Sequence, residues 1–271
     1  MYTIFNLVTY FVIYSIAGWI LESIYRSFCE KKPINSGFLI GPFCPIYGIG
    51  AIIMLLFLEK FKENILVLFI ISFIVLSLWE YIVGVMLEII FKTKYWDYSS
   101  HKININGRVC LFNSTCWGIL SVLFIEYIHP FIERNIKLIN PFYLKIIISS
   151  VVVIFVIDTI ISIVTTINIK AALDRIEQLN NQIKDKIEEI KKIKGKDIKN
   201  DIMENMQEKI DELNNKKNRL FRHLYKRVYR LKKAFPDIQS KEITEILNRK
   251  IEIIKNVKHK TKEEKWYRKF I

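Results

Sequence analysis

Residues 65–90 read ILVLFIISFIVLSLWEYIVGVMLEII. Spanning roughly 30 Å of hydrocarbon takes about 20 mostly apolar residues, and this run carries only Glu80 and Glu88 as charges. It predicts a transmembrane helix. Four more runs qualify on the same grounds, at about 3–21, 39–58, 109–128 and 143–168. The first is not a cleavable leader, since it lacks a basic start and a small-x-small cleavage site. A soluble chain would have to bury five helices that are apolar on every side within 170 residues. The expected fold is therefore all-α, a polytopic membrane helix bundle of about five spans.

Charge divides the 271-residue chain. Residues 1–169 hold 12 Lys/Arg against 10 Asp/Glu, whereas 170–271 hold 29 against 17. The expected domains are a membrane domain, 1–169, and a basic cytoplasmic helical domain, 170–271. Lys and Arg favour the cytoplasmic loops. Arg26, Lys31 and Lys32, then Lys92, Lys94, Lys102 and Arg108, fall on one side; Lys60, Lys62, Arg134 and Lys137 fall on the other. With the basic tail, this predicts an outside N-terminus and an inside C-terminus in the cell membrane. The four cysteines show no CxxC spacing, so no metal site, cofactor or disulfide is expected.

Acids within the spans mark candidate sites, because an ionised group at mid-bilayer costs at least about 2.5–3.5 kcal/mol and faces protein or water. Glu80, Glu88, Asp158 and Glu22 form a candidate polar pathway, with Glu80 and Asp158 at similar depth. Inter-helix hydrogen bonding is the structural alternative. The stretch 35–50, NSGFLIGPFCPIYGIG, holds two prolines and four glycines. Asn35, Gly37, Gly41, Pro42 and Pro45 there predict either a broken helix with free backbone groups or a close helix contact. Between the third and fourth runs lie Trp96, Asp97, Tyr98 and Ser99, then Asn104, Asn106, Gly107 and Arg108. Asn106-Gly107 signals a tight turn. It sets Arg108 at a helix N-terminus, where it needs an acidic partner such as Asp97 or Glu88, or an anionic ligand.

Gly18-Trp19-x-x-Glu22, Asn35-x-Gly37-Phe38-Leu39-x-Gly41-Pro42-x-Cys44-Pro45-Ile46-Tyr47-Gly48, Trp96-Asp97-Tyr98-Ser99 and Asn104-x-Asn106-Gly107-Arg108 resemble the ABC-transporter type IV (CmpB-like) family of bacterial membrane proteins. The resemblance covers about residues 10–170. It implies a permease-like subunit working with a separate ATPase, because no Walker A loop occurs in this chain.

In the tail, Ile176, Leu179, Ile183, Ile187, Ile190 and Ile193, then Ile202, Met206, Ile210, Leu213, Leu220 and Leu224, keep three-to-four spacing around Gly195. Either two helices fold back at Gly195 or a short coiled coil continues the last span. Arg219, Arg222, Lys226, Arg227, Arg230, Lys232 and Lys233 make residues 219–233 a basic amphipathic helix suited to anionic inner-leaflet lipid, with nucleic acid the weaker partner. Residues 238–271 read as another basic helix ending in Trp266, Tyr267 and Phe270.

Three functions fit these residues: a transport component, acting in a homo-oligomer or hetero-complex; a non-catalytic membrane scaffold or regulator; and a lipid-modifying enzyme at the cytoplasmic interface. No nucleophile–base pair stands at diagnostic spacing, so no catalytic residue is assigned.

Overall fold

A computed structural model describes residues 2–193 and 200–249. The turn expected at Gly195 and the aromatic end at Trp266 to Phe270 lie outside the described residues. The described residues fall into two compact units: those up to Val164 with Leu231–Gln239, and those within Thr165–Arg230 with 240–249.

The first unit is a helix bundle. Helix α1 (Ile4–Glu30) starts on Thr3, whose hydroxyl accepts from the Asn6 amide, and stops at Lys31 in the left-handed region, φ 52°. Helix α3 (Ile65–Phe91) repeats the design, with Asn64 as N-cap and Lys92 as left-handed stop. Such caps satisfy amides and carbonyls that a helix end leaves open. Helix α4 (Leu111–Leu123) continues through a π turn, Phe124–Ile128, into α5 (His129–Lys137). Helix α6 is Pro141–Ile167. Among the described residues four helices are long and apolar enough to cross a membrane: Ile4–Glu30, Ile65–Phe91, Leu111–Lys137 and Pro141–Ile167. This is a membrane protein.

The second apolar run behaves differently. Residues 39–44 are not helical. Helix α2 begins six residues later than the apolar run, at Pro45, and ends at Ile53; a five-residue π turn (Met54–Leu58) and a short 3-10 turn (Glu59–Phe61) complete it. At 1.5 Å per residue these segments reach about 25 Å, against about 40 Å for α1. The reason is at its start: Pro42 and Pro45 offer no amide donor, and the Cys44 amide bonds the Ser15 carbonyl of α1 at 2.9 Å instead. The chain therefore enters the bundle as a loop and turns helical beside the middle of α1. A Cβ on Gly48 would lie 2.2 Å from Ser15 Oγ, and one on Gly18 would lie 2.4 Å from Tyr47, so α1 and α2 touch through these two glycines.

Between α3 and α4 the loop folds into a hairpin, β1 (Asn104–Ile105) against β2 (Val109–Cys110). Asn106 and Gly107 have φ of 52° and 66°, the pair of left-handed residues a tight hairpin turn requires.

The second unit contains α7 (Ile169–Ile193) and the first part of α8 (Asn200–Ala234). Leu173, Ile176, Leu179 and Ile183 are buried on α7, and Ile210, Leu224 and Val228 on α8. Lys217 Nζ donates to Asn180 Oδ1 at 3.1 Å, and Arg227 Nη2 to Thr166 Oγ1 at 3.3 Å. Asn180 is on α7 and Thr166 at the end of α6, and the two contacts run in opposite chain order, so α8 runs back along α7 toward the end of α6.

Candidate functional site

Glu80 lies in α3 with 5% of its surface exposed. Its Oε2 accepts from Trp117 Nε1 at 3.0 Å, and its Oε1 accepts from Asn113 Nδ2 and the Tyr98 hydroxyl, both at 3.3 Å. Asn113 and Trp117 are four residues apart on α4, so one face of that helix presents both donors. Tyr98 comes from the loop and accepts from Asn113 Nδ2 at 2.5 Å. Burial, then the Glu80 charge, holds the Tyr98 hydroxyl well above the ordinary phenol range, which keeps it a donor. The Glu22 carboxylate also acts on Tyr98 through space. Glu22 itself, on α1, accepts from the Tyr47 hydroxyl of α2 at 2.6 Å. The Tyr47 and Trp117 rings are 5.6 Å apart. Two carboxylates from two helices thus converge on one aromatic cluster. Among the described residues no Lys or Arg forms an ion pair with either.

Glu88, two turns along α3, is neutralised instead. Arg108 Nε donates to its Oε1 at 3.1 Å and Nη2 to its Oε2 at 2.5 Å, a two-pronged pair. The hydrogen bond to Glu88 raises the guanidinium further above its usual range. Arg108 also covers the Tyr81 ring at 5.3 Å, and its carbonyl accepts from Trp96 Nε1 at 2.9 Å. The Tyr81 hydroxyl accepts from Asn106 Nδ2 at 3.1 Å. Of the expected partners, Glu88 is the one that meets Arg108.

Asp97 organises the loop. Its Oδ1 accepts from Lys94 Nζ at 2.7 Å, the Ser99 hydroxyl at 2.6 Å and the Ser99 amide at 3.1 Å; its Oδ2 accepts from Gln239 Nε2 at 2.8 Å. The Lys94 bond, then the Ser99 hydroxyl, lowers its carboxyl from an ordinary 3.8 to about 2. Asn104 Oδ1 accepts from the Gly107 amide at 2.9 Å, and the Gly107 carbonyl accepts from the Tyr98 amide at 2.8 Å. The Trp96-to-Ser99 box and the Asn104-to-Arg108 turn are therefore one structure, whose product is the position of Tyr98.

Asp158, on α6, has its own partners. Its Oδ1 accepts from the Ile40 amide at 3.1 Å and its Oδ2 from the Gly41 amide at 2.8 Å. These are two of the amides that the non-helical 39–44 segment leaves open. Asn35 closes the same loop, accepting from Trp19 Nε1 at 2.7 Å and donating to the Ile40 carbonyl at 2.6 Å. Gly37 turns with φ 87°. Asp158 and Glu80 share none of these hydrogen-bond partners: one clamps a loop, the other sits in a cage.

The basic residues of the tail divide. Arg219, Arg222 and Lys226 are exposed, Arg230 is half-buried and Arg227 is buried. Lys232 Nζ donates to the Pro236 carbonyl at 2.6 Å, and Lys233 pairs with Glu30 at 2.8 Å.

Sequence reading missed Asn113 and Trp117. The available signal was an asparagine and a tryptophan at helical spacing inside an apolar run. It also missed His129, which is 3% exposed and bonds the Tyr14 hydroxyl at 2.8 Å and that of Tyr2 at 3.1 Å.

A family model described as "Putative ABC-transporter type IV" matches residues 9–163, more than half of the chain. No curated protein and no solved structure matches. The matched segment holds the Glu22–Tyr47 contact, the Glu80 cage, the hairpin and the Asp158 clamp, and on that match the chain belongs to the ABC-transporter type IV family.

Proposed function

We propose that this protein is the membrane-spanning, permease-like subunit of an ABC-type transport complex, with Glu80 and Glu22 as its substrate-facing polar site. One observation carries the reading. Two carboxylates stand within the helices, held by neutral donors from three further elements, and among the described residues no cation pairs with them. A pair of acids kept only for packing would be cheaper as amides, since each charge at depth costs about 2.5–3.5 kcal/mol or more. Glu88 and Asp158, by contrast, have the partners of structural groups.

In this reading the α2 run is the fifth crossing, the N-terminus is outside, and the hairpin loop and tail face the cytoplasm. A separate ATPase subunit docks on that face. The exposed Arg219, Arg222 and Lys226 meet anionic lipid, at about 1 kcal/mol for each basic residue near the surface. Five spans are few for a pore, so the pathway is completed by a second copy or another subunit.

The test is Glu80→Gln in the complex reconstituted with its native ATPase subunit in lipid nanodiscs. The exchange keeps shape and removes charge. Assembly is expected to survive while coupled ATP turnover falls at least about tenfold, equivalent to about 1.4 kcal/mol. Unchanged turnover with unchanged assembly would make Glu80 structural and leave the scaffold reading in its place.

A further inference from the structure

Beside the Glu22–Glu80 cluster lies a cavity of about 110 Å³ bounded by α1, α2, α3 and α4. That is room for roughly seven to eleven water-sized spheres, and its wall is mostly apolar. Five aromatic rings line it: Tyr14, Tyr47, Trp79, Trp117 and Phe124. Both π turns contribute, through Met54 from one and Phe124 and Ile128 from the other. The wider turn displaces backbone locally and recurs at functional sites. Leu21 and Ile128, also in the wall, are 50% and 39% exposed, so the cavity reaches the outer surface of the bundle.

The polar tips of these rings are already engaged. Tyr47 donates its hydroxyl proton to Glu22 at 2.6 Å, Trp117 its indole proton to Glu80 at 3.0 Å, and Trp79 its indole proton to the Ile46 carbonyl at 3.2 Å. Donation to a carboxylate moves electron density into the ring, and the negative face of the ring is what a cation senses. Among the described residues no lysine or arginine covers any of these five rings; the cation–ring contacts are Lys60 on Phe61 and Arg108 on Tyr81.

We propose that this cavity binds a lipophilic ammonium ion, its hydrocarbon along the apolar wall and its cationic head against the Tyr47 and Trp117 rings, with Glu22 and Glu80 behind them. A hydrated metal ion finds no ligand set here, because among the described residues no group of three or more His, Cys, Asp or Glu is placed to hold one. An anionic amphiphile meets two acids that no Lys or Arg pairs with among the described residues. A zwitterionic lipid head brings its phosphate to the same acids, so a free single-chain ammonium fits better. This names a substrate class for the transport reading and rests on it for its purpose. Binding is measured on the full chain alone, so the two stand or fall separately.

The probe is decyltrimethylammonium, added to the full chain in phosphatidylglycerol nanodiscs, with tryptophan fluorescence as readout because Trp79 and Trp117 line the cavity. Decyl sulfate, decanol and lysophosphatidylcholine are the comparison arms. The result expected is a saturable change for the ammonium, weakened about tenfold in Glu22→Gln/Glu80→Gln, which removes the negative charge behind the rings and keeps the rings themselves. Gly50→Leu should abolish it. A Cβ on Gly50 comes no nearer than 4.0 Å to Trp79, so Gly50→Ala is accommodated and should weaken binding in proportion to the space it takes. Equal binding of decyl sulfate or decanol overturns the charge assignment. Equal or tighter binding of lysophosphatidylcholine overturns the free-ammonium assignment in favour of a lipid head. A response that never saturates, or that Gly50→Leu leaves intact, overturns the site. If ammonium binds but no ATPase subunit exists, the transport reading alone fails.

Discussion

Gly107 has φ 66°, and a Cβ there would fall 2.3 Å from Asp97 Oδ1, 2.4 Å from Ser99 Oγ and 2.6 Å from Lys94 Nζ. Conformation and space both demand glycine. Gly107→Ala should lower stability by about 1–3 kcal/mol, the usual scale of local backbone strain. Gly84 is the control, since a Cβ there would make ordinary 3.5 Å contacts with Arg108 and Trp96. Thermal unfolding in detergent compares the two variants, and equal melting points would contradict the packing described. Asp97 adds a pH dependence. Its folded carboxyl titrates near 2 rather than 3.8, so the charged form is the stabilising one. That contribution is complete above about pH 4 and is lost as pH falls toward 2. Asp97→Asn should therefore destabilise at pH 6, with the gap closing between pH 4 and 2. A gap that persists at pH 2 would mean the effect is not ionic.

At the scale of elements, the telling case is the segment before α2. Leu39-Ile40-Gly41-Pro42-Phe43-Cys44 is apolar enough to read as part of a span, and hydropathy alone assigns it to one. Its prolines and glycines did signal a break, but not its cause, because the Asp158 carboxylate that takes up the Ile40 and Gly41 amides lies 117 or more residues away. Asp158→Asn leaves one carbonyl for two donors. Amide exchange at Ile40 and Gly41 should accelerate at least about tenfold in that variant, with α3 and α4 unaffected. Unaltered protection would show that the loop is held by other means. The same limit hid the Glu80 cage. A buried acid in α3 is legible from composition, and so is the Asn106-Gly107 turn. Which face of α4 meets that acid depends on helix rotation and on Gly118 packing against Phe69, where a Cβ would lie at 2.7 Å. Asn113 and Trp117 therefore emerge only from the packed bundle.

On the scale of the whole molecule, the first unit is a helix bundle whose buried polar groups fall into different roles. Asp158, Asn35 and Asp97 hold loops, Glu88 and Arg108 neutralise each other, and Glu80 and Glu22 face aromatic rings with no Lys or Arg paired to them among the described residues. The end of α8 and the residues to Gln239 join this unit: Lys233 pairs with Glu30, Gln239 forms a backbone bridge to Lys94, and the Phe235 ring lies 5.1 Å from that of Tyr95. The Gln239 and Phe235 contacts join the segment after α8 to the loop that positions Tyr98. The measurement that tests the central claim most directly is gentle-detergent purification of the tagged protein from its native membranes, with mass spectrometry of what accompanies it. An ATPase subunit at fixed stoichiometry is the predicted result; a homo-oligomer carrying lipid alone would contradict the assignment as a transport subunit.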